Sequence, residues 1–189
     1  MAKRVVSWPT ALRDAKTFAG WHYAGGKVRP AGRTHGTIDH RPRKRNLVAV
    51  HAGYVRSLFA NLENGRPEAF FNHVVQDVKW TVMGTHPLAG TYHTKENFLA
   101  HTFARLDKLL KEGVVLRVIN LLVDGDTAAV EMESLSTALN GKPFDNTYCW
   151  IARFLNGTIV EVRAYLDSAL VQRMIDENEP PPSQQEQKS

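Results

Sequence analysis

Three glycine-centred turn signals divide the second half of the chain into four runs of alternating residues. The turns are Asp124-Gly125-Asp126, Asn140-Gly141 and Asn156-Gly157, whose residues tolerate the positive φ of tight hairpins. The runs lie near residues 114–123, 127–138, 144–155 and 158–167 and alternate as strands with one covered face do. The sequence therefore predicts a four-stranded antiparallel meander.

The residues before the meander are organised differently. Apolar residues recur at helical spacing over 48–64, Pro67 suits the first turn of a second short helix, and a broad apolar stripe predicts a third helix over 94–113. A strand at VKWTV lies between them, and Ser168 opens a last short helix. This order predicts an α+β domain in which helices cover one face of a curved sheet.

Charge separates the chain into a basic beginning and a mildly acidic remainder. Residues 1–46 hold 11 of the 24 Lys and Arg but two of the 19 Asp and Glu. We expect residues 1–46 to be a basic disordered extension, residues 47–176 to form one domain and residues 177–189 to be a polar tail. The extension fits an over-called start, a targeting leader or a basic tail for anionic partners. We expect no nucleic-acid binding by the domain, whose own charge is not basic.

Composition excludes several further classes. No apolar run approaches the length of a membrane span, and the first residues lack a secretory h-region. The single cysteine, Cys149, excludes an internal disulfide and a cysteine-rich metal site. The histidines show no metal-ligand spacing, so we predict neither a metal nor a cofactor. A cytoplasmic location suits these features.

Strand alternation gives the residues of the covered face. That face is apolar with a few neutral polar groups, which is the make-up of a small-molecule pocket. The polar groups are Trp80, Asn120, Ser134, Ser136, Asn146, Tyr148 and Trp150. Strict alternation puts Asp167 on the opposite face. The simpler interpretation of Trp80 and Trp150 is that they are core residues.

Two stretches resemble a known family. The motifs W-x-V-x-G-x-x-P-L-A-G, beginning at Trp80, and G-x-I-V-E-V-x-x-Y-x-D, ending at Asp167, resemble the SnoaL-like, ketosteroid-isomerase-related proteins. The resemblance covers about residues 47–176. It implies the nuclear-transport-factor-2-like fold, a cone-shaped curved antiparallel sheet closed by about three helices. This fold hosts isomerases, cyclases and non-catalytic binders.

The resemblance favours some activities of the family over others. Ketosteroid isomerases use a tyrosine and two aspartates where this chain has Leu58, Thr81 and Trp150, so ketosteroid isomerisation itself is not expected. Cyclases of the SnoaL type use an aspartate near the end of the last strand, which implies Asp167 as the catalytic acid/base. Asp145 and His86 are further candidates near the pocket rim. Helix capping by Asp167 and strand initiation at Asp145 are the structural alternatives.

Two functions follow as hypotheses. The first is a pocket for a small hydrophobic, oxygen-bearing molecule with cofactor-free isomerase or cyclase chemistry, and the second is a non-catalytic binding or interaction domain. The outer sheet face mixes Leu135, Ile151 and Tyr165 with charged residues. It is too apolar to be only solvated, and the resemblance also implies a homodimer through that face.

Overall fold

The computed structural model describes residues 50–180, so the expectations for residues 1–46 and for the end of the tail lie outside the described residues. Helices occupy both ends and the middle of this range. They are α1 (Ala52–Glu63), α2 (Pro67–Phe71), α3 (Lys95–His101), α4 (Phe103–Asp107) and α5 (Ser168–Asn178). Helix α5 thus runs two residues beyond the domain boundary expected at residue 176.

The strands form one large sheet and one small ribbon. They are β1 (Val74–Val82), β2 (Gly90–Tyr92), β3 (Leu116–Asp124), β4 (Thr127–Ser134), β5 (Ser136–Thr137), β6 (Pro143–Phe144), β7 (Thr147–Leu155) and β8 (Thr158–Leu166). The large sheet has the order β2-β1-β8-β7-β4-β3, and β5 pairs with β6. The predicted meander is confirmed in β3, β4, β7 and β8, and the α+β class is confirmed with it. The sheet is open rather than closed, because β2 and β3 are free edges.

Strand β1 completes the surface on which the helices pack. It pairs parallel with β8, with Trp80 opposite Val162, and antiparallel with the short β2. The inner face of the sheet and the helices share one apolar core that includes Phe59, Phe70 and Phe154. The Asn156-Gly157 turn joins β7 to β8 with φ of 52° and 78° at its two residues, as the predicted tight hairpin requires.

The third predicted helix is two helices. The chain breaks at Thr102, which has φ −116° and ψ −77° and separates α3 from α4. The Thr102 hydroxyl donates a hydrogen bond to the Phe98 carbonyl four residues earlier, at 2.7 Å. A β-branched residue bonded back to its own helix in this way favours a bend. The expected single helix over residues 94–113 is therefore wrong at this point.

A bulge in β3 corrects the placement of Asn120. Val118 pairs with Met132 whereas Asn120 pairs with Glu131, so Ile119 is an extra residue. An extra residue reverses the alternation beyond it. Asn120 is consequently exposed on the outer face, and Leu121 replaces it on the inner side. Asn120 was expected on the covered face because simple alternation carries no information about a bulge.

Candidate functional site

A pocket lies between the inner face of the sheet and the helices α3, α4 and α5. It has a cavity volume of about 40 Å³. The sheet contributes Trp80, Val82, Tyr148, Trp150, Ala164 and Leu166, the β1–β2 connection His86 and Leu88, and the helices Phe98, Thr102, Phe103, Leu106 and Val171. None of these residues carries a carboxylate, ammonium or guanidinium group. The site is therefore an apolar, aromatic pocket with a few neutral polar atoms.

Two tryptophans form the floor of this pocket. The Trp80 and Trp150 ring centroids lie 5.0 Å apart at an interplanar angle of 87°. Phe98 of α3 stacks on Trp80 with centroids 4.0 Å apart. The register places both indoles there, because Trp150 pairs with Ala164 on β8 and Trp80 pairs with Val162 two residues earlier. Ala164 lines the cavity together with both indoles.

Both indole nitrogens on this floor lack a hydrogen-bond partner. Within the described range, Trp80 Nε1 and Trp150 Nε1 are the buried side-chain nitrogen or oxygen atoms without one. Their side chains are buried, with 0% exposure for Trp80 and 3% for Trp150. A buried tryptophan N–H usually has an acceptor, and an unsatisfied one costs free energy. The two tryptophans thus carry buried N–H donors with no acceptor among the described residues.

Tyr148 adds a hydroxyl to the pocket wall. It lies on β7 two residues before Trp150, so the two side chains share the inner face. Their rings meet edge-on with centroids 6.5 Å apart. Desolvation by burial raises the pKa of Tyr148 well above its usual value. The phenol is therefore neutral at any physiological pH and is suited to hydrogen bonding rather than to proton abstraction.

His86 is the titratable imidazole of the pocket. It is buried in the β1–β2 connection, where its Nδ1 accepts from the Leu88 N–H at 3.2 Å. Nε2 therefore carries the proton and donates to the Met83 carbonyl at 3.3 Å. Desolvation lowers the pKa of His86, and the bond to Met83 opposes it more weakly. Both effects together leave a neutral imidazole with a defined tautomer.

Asp167 lies outside the pocket. It is exposed at the N-cap of α5, where its carboxylate accepts from the backbone N–H groups of Ala169 at 2.9 Å and Leu170 at 3.1 Å. The physical reason is alternation, since Leu166 faces the pocket and the next residue faces away. This corrects the position that the family resemblance implied for Asp167. Its carboxylate performs the capping role that the sequence offered as the alternative.

Asn146 and Asp145 also lie away from the pocket lining. The buried Asn146 amide donates to the Asp167 carbonyl at 3.1 Å and accepts from the Asp167 N–H at 3.0 Å. It thereby joins the start of β7 to the end of β8 with both of its polar ends. Asp145 is exposed just before β7. Neither side chain has a free group in contact with the cavity.

The close approach of α5 to the end of β1 requires Gly84. Its φ is +121°, and a Cβ built there would lie 2.1 Å from Ser168 Oγ and 3.0 Å from His86 Cδ2. Glycine therefore lets the first turn of α5 and the His86 ring pack against the same loop. The far end of α5 is fixed by Glu179, which accepts two hydrogen bonds from the Arg105 guanidinium at 2.5 and 2.7 Å.

The sequence did not indicate the helical half of the pocket. Thr102, Leu106 and Val171 line it, but apolar helix residues with this spacing are equally typical of an ordinary core. The one available signal was the apolar stripe of the helix that breaks at Thr102. Across residues 50–180 no cluster of three or more His, Cys, Asp or Glu has the arrangement of a metal site. No helix in that range is long and apolar enough to cross a membrane.

Comparison with known proteins agrees with this architecture. The profile of the SnoaL-like domain family matches residues 55–162. The chain belongs to the SnoaL-like family. It is 28% identical over 134 residues to the dimerizing cyclase phiC of a fungal species, and 31% identical over 116 residues to the dimerizing cyclase tstC of Talaromyces stipitatus.

These alignments cover 69% and 59% of this chain but 59% and 52% of the two relatives. The chain thus matches little more than half of each relative's length. Among solved structures, an NTF2-like protein of Burkholderia thailandensis superposes with a TM-score of 0.57 and 25% identity. That superposition covers 68% of this chain and 96% of the other. This agrees with the nuclear-transport-factor-2-like fold implied by the sequence.

Proposed function

We propose that this SnoaL-like protein is a cofactor-free enzyme of the cyclase or isomerase type, which binds a hydrophobic, oxygen-bearing small molecule beneath α5. The observation that carries this proposal is the aromatic pocket, whose lining side chains include two indoles, a phenol and a neutral imidazole. Such a lining binds a flat apolar body and orients its oxygens. The relatives named dimerizing cyclases support the same type of chemistry.

His86 is the proposed polarising residue of the site. Its neutral imidazole carries the proton on Nε2, and the bond to Met83 is long at 3.3 Å. A substrate oxygen is a competitive acceptor for this proton. A neutral imidazole with a lowered pKa can polarise a carbonyl by donating a hydrogen bond without carrying charge. Trp80, Trp150 and Tyr148 are the proposed substrate-binding residues.

We assign Asp167 no role in proton transfer. A general acid or base must reach the reacting atom directly or through one water. The Asp167 carboxylate is engaged by two backbone N–H groups of α5 on the exposed side. Asn120, Asp145 and Asn146 are likewise left out of the proposed substrate contacts. The chemistry therefore relies on hydrogen bonding and shape more than on a carboxylate.

The proposed assembly is a homodimer through the outer sheet face. Leu122 is 69% exposed and Tyr165 is 43% exposed there. The register aligns Leu122, Ala129 and Ile151 in one row across β3, β4 and β7. A second copy of this chain is the partner that would cover such a row, as the resemblance implies. A cytoplasmic location is proposed on the single cysteine, and membrane and nucleic-acid partners form no part of the proposal.

The test begins with the ligand itself. The full chain is purified from cells or incubated with an extract of its source organism, and bound compounds are released by denaturant and identified by mass spectrometry. The identified compound is then returned to fresh protein and followed for conversion. We expect a hydrophobic, oxygenated compound that is converted without added metal or cofactor, and more slowly by His86→Gln. Tight binding without conversion would contradict the proposed enzymatic activity and favour a non-catalytic binding domain.

A further inference from the structure

The β1–β2 connection holds His86 through a series of hydrogen bonds that begins at Tyr92. The Tyr92 hydroxyl donates to the Leu88 carbonyl at 2.9 Å, and the Leu88 N–H donates to His86 Nδ1 at 3.2 Å. The Ala89 N–H donates to the His86 carbonyl at 2.9 Å and closes the turn. Tyr92 is thus connected to the His86 ring through a single intervening residue.

From these contacts we propose that Tyr92 is a positioning residue for His86: its hydroxyl holds Leu88 so that the Leu88 N–H stays on Nδ1 and the ring proton stays on Nε2. The inference rests on the proposed function of His86 and deepens it. A neutral imidazole that accepts a hydrogen bond at one nitrogen carries its proton on the other. Without the bond from Leu88 the proton would exchange between the two nitrogens, and only one tautomer donates from Nε2.

The place of Tyr92 in the fold suits this role. It ends the three-residue strand β2, pairs with Trp80 of β1 and lies directly after a connection, residues 83–89, that is outside the sheet ladder. Short segments at a sheet edge open more readily than the core does. The Tyr92 ring is fixed by α3, because it meets Phe98 edge-on with centroids 5.8 Å apart and lies 6.0 Å from the His101 ring. The phenol therefore holds a weakly supported connection to a well-packed helix.

The surroundings of the Tyr92 hydroxyl favour donation to Leu88. Burial raises the pKa of Tyr92, and the nearby Arg105 guanidinium opposes this more weakly. The phenol is therefore neutral and keeps the proton that a carbonyl acceptor requires. A neighbouring cation polarises an O–H bond and strengthens the hydrogen bond that it donates. Arg105 is itself fixed by two hydrogen bonds to the Glu179 carboxylate.

The experiment observes the ring nitrogens of His86 by NMR. The full chain is labelled with ¹⁵N-histidine, and the Nδ1 and Nε2 signals of His86 are assigned with His86→Gln. Tyr92→Phe keeps the ring that packs on Phe98 and removes the hydroxyl. Tyr54→Phe is the matched control, because the Tyr54 hydroxyl also donates to a backbone carbonyl, that of Gly157, but belongs to α1.

We expect a protonated Nε2 and an unprotonated Nδ1 in wild type and in Tyr54→Phe. In Tyr92→Phe the two nitrogen shifts should move towards each other, because the ring then exchanges between tautomers. Replacing Tyr92 by p-aminophenylalanine keeps a donor at the same place and should restore much of the wild-type difference. Unchanged His86 shifts in a folded Tyr92→Phe would overturn the inference, whether or not the protein converts a substrate.

Kinetics with the identified compound distinguish positioning from a general effect on stability. Tyr92→Phe should lower kcat about fivefold, as expected for one lost hydrogen bond, with a much smaller change in KM. In a His86→Gln background the same change should leave kcat unaltered, because residues that act as a unit are not additive. A full further loss in the double variant would overturn the inference and leave Tyr92 a structural role. A tautomer shift in a protein that converts nothing would support the positioning role and contradict the proposed function alone.

A measurement on the wild-type protein decides the point if Tyr92→Phe does not fold. The Tyr92 hydroxyl proton should be protected from exchange with solvent, and a scalar coupling across the hydrogen bond should connect the Leu88 nitrogen to His86 Nδ1. Both observations together would support the inference. A rapidly exchanging Tyr92 hydroxyl, or a His86 ring protonated on Nδ1, would overturn it.

Discussion

At the scale of single residues, His86 is a neutral, buried group with defined chemistry. Its two ring nitrogens hold the Met83 carbonyl and the Leu88 N–H, and its burial lowers its pKa. Proton uptake by the folded protein would place a charge in an apolar pocket and break the bond from Leu88. The unfolded chain takes up that proton near the usual histidine pKa of about 6.5. His86 consequently links the stability of the fold to pH.

Acid should therefore weaken the fold through His86. Because the folded pKa is lower than the unfolded pKa, the contribution is fully present above pH ~6.5 and is lost as the pH falls below that value towards the folded pKa. The measurement is the urea midpoint at pH 7.5 and pH 5.5. The shift between the two should be smaller in His86→Gln than in wild type. The exposed His93 provides the control His93→Gln, and an equal reduction in that variant would contradict the assignment.

The residue scale also marks where sequence reasoning succeeds and fails. Alternation put Trp80, Tyr148 and Trp150 on the covered face, and all three are buried there. It failed for Asn120, because a bulge at Ile119 reverses which face the following residues occupy. Residue types alone do not indicate where a bulge lies. For Asp167, alternation and family resemblance disagreed, and the structure follows alternation. The alternation of side chains along a strand follows from its backbone geometry. A catalytic role carried over from a family does not determine where a side chain points.

At the scale of elements, α5 covers the pocket and is fixed at both ends. Asp167 caps its first turn, and the lack of a side chain at Gly84 lets that turn pack against the end of β1. At the far end of the helix, Arg105 forms an ion pair with Glu179. The sequence predicted this helix and its start but not its contacts, because those join residues far apart in the chain. The break at Thr102 was also missed, since a continuous apolar stripe describes one helix and two short ones equally well.

Removing the cap should destabilise the protein without emptying the pocket. Asp167→Ala removes the acceptor for two backbone N–H groups of α5 and should cost about 1 kcal/mol in the free energy of unfolding. Asp167→Asn keeps a good capping side chain and should cost less. Urea unfolding measures the loss of stability in each variant. In ligand titrations, both variants should bind the pocket ligand as tightly as wild type does. Loss of conversion in a folded Asp167→Asn would restore the catalytic role implied by the resemblance.

Gly84 gives a second prediction at this scale. Gly84→Ala adds a Cβ that collides with Ser168 Oγ at a backbone angle rarely adopted by side-chain-bearing residues, so about 2 kcal/mol or more of stability should be lost. Gly90 has φ +150°, also outside the left-handed helical region, with no atom near its would-be Cβ, and Gly90→Ala is the control for the backbone effect. The Ser168→Ala change should recover part of the loss in Gly84→Ala. Equal losses in the two glycine variants would exclude the close approach of α5.

At the scale of the whole molecule, one face of the sheet makes the pocket and the other makes the proposed dimer. The inner face is covered by the chain's own helices. The outer face carries the row of Leu122, Ala129 and Ile151, with Tyr165 beside it. The fold class and the meander were predictable from turns and alternation alone. The pocket volume and its helical walls were not, because they depend on how separate elements meet.

The dimer prediction belongs to this scale. Leu122→Lys places a charge in the centre of the proposed interface and should shift the protein towards monomer, with a dissociation constant raised about tenfold or more. Leu139 is 51% exposed between β5 and β6, away from the outer face of the large sheet, and Leu139→Lys is the control. Sedimentation equilibrium of both variants and wild type decides the point. A wild-type monomer at micromolar concentration would contradict the proposed assembly.

The central claim is that a small molecule binds and reacts in the pocket beneath α5, and filling that pocket tests it most directly. Ala164 lines the cavity and is buried on β8, whereas Ala169 is exposed on α5. The same change, Ala to Leu, is made at each position, and binding and conversion of the identified compound are measured. We predict that Ala164→Leu stays folded with a loss of about 1–3 kcal/mol from overpacking and loses binding at least tenfold, while Ala169→Leu behaves as wild type. Unchanged binding and conversion by a folded Ala164→Leu would contradict the account.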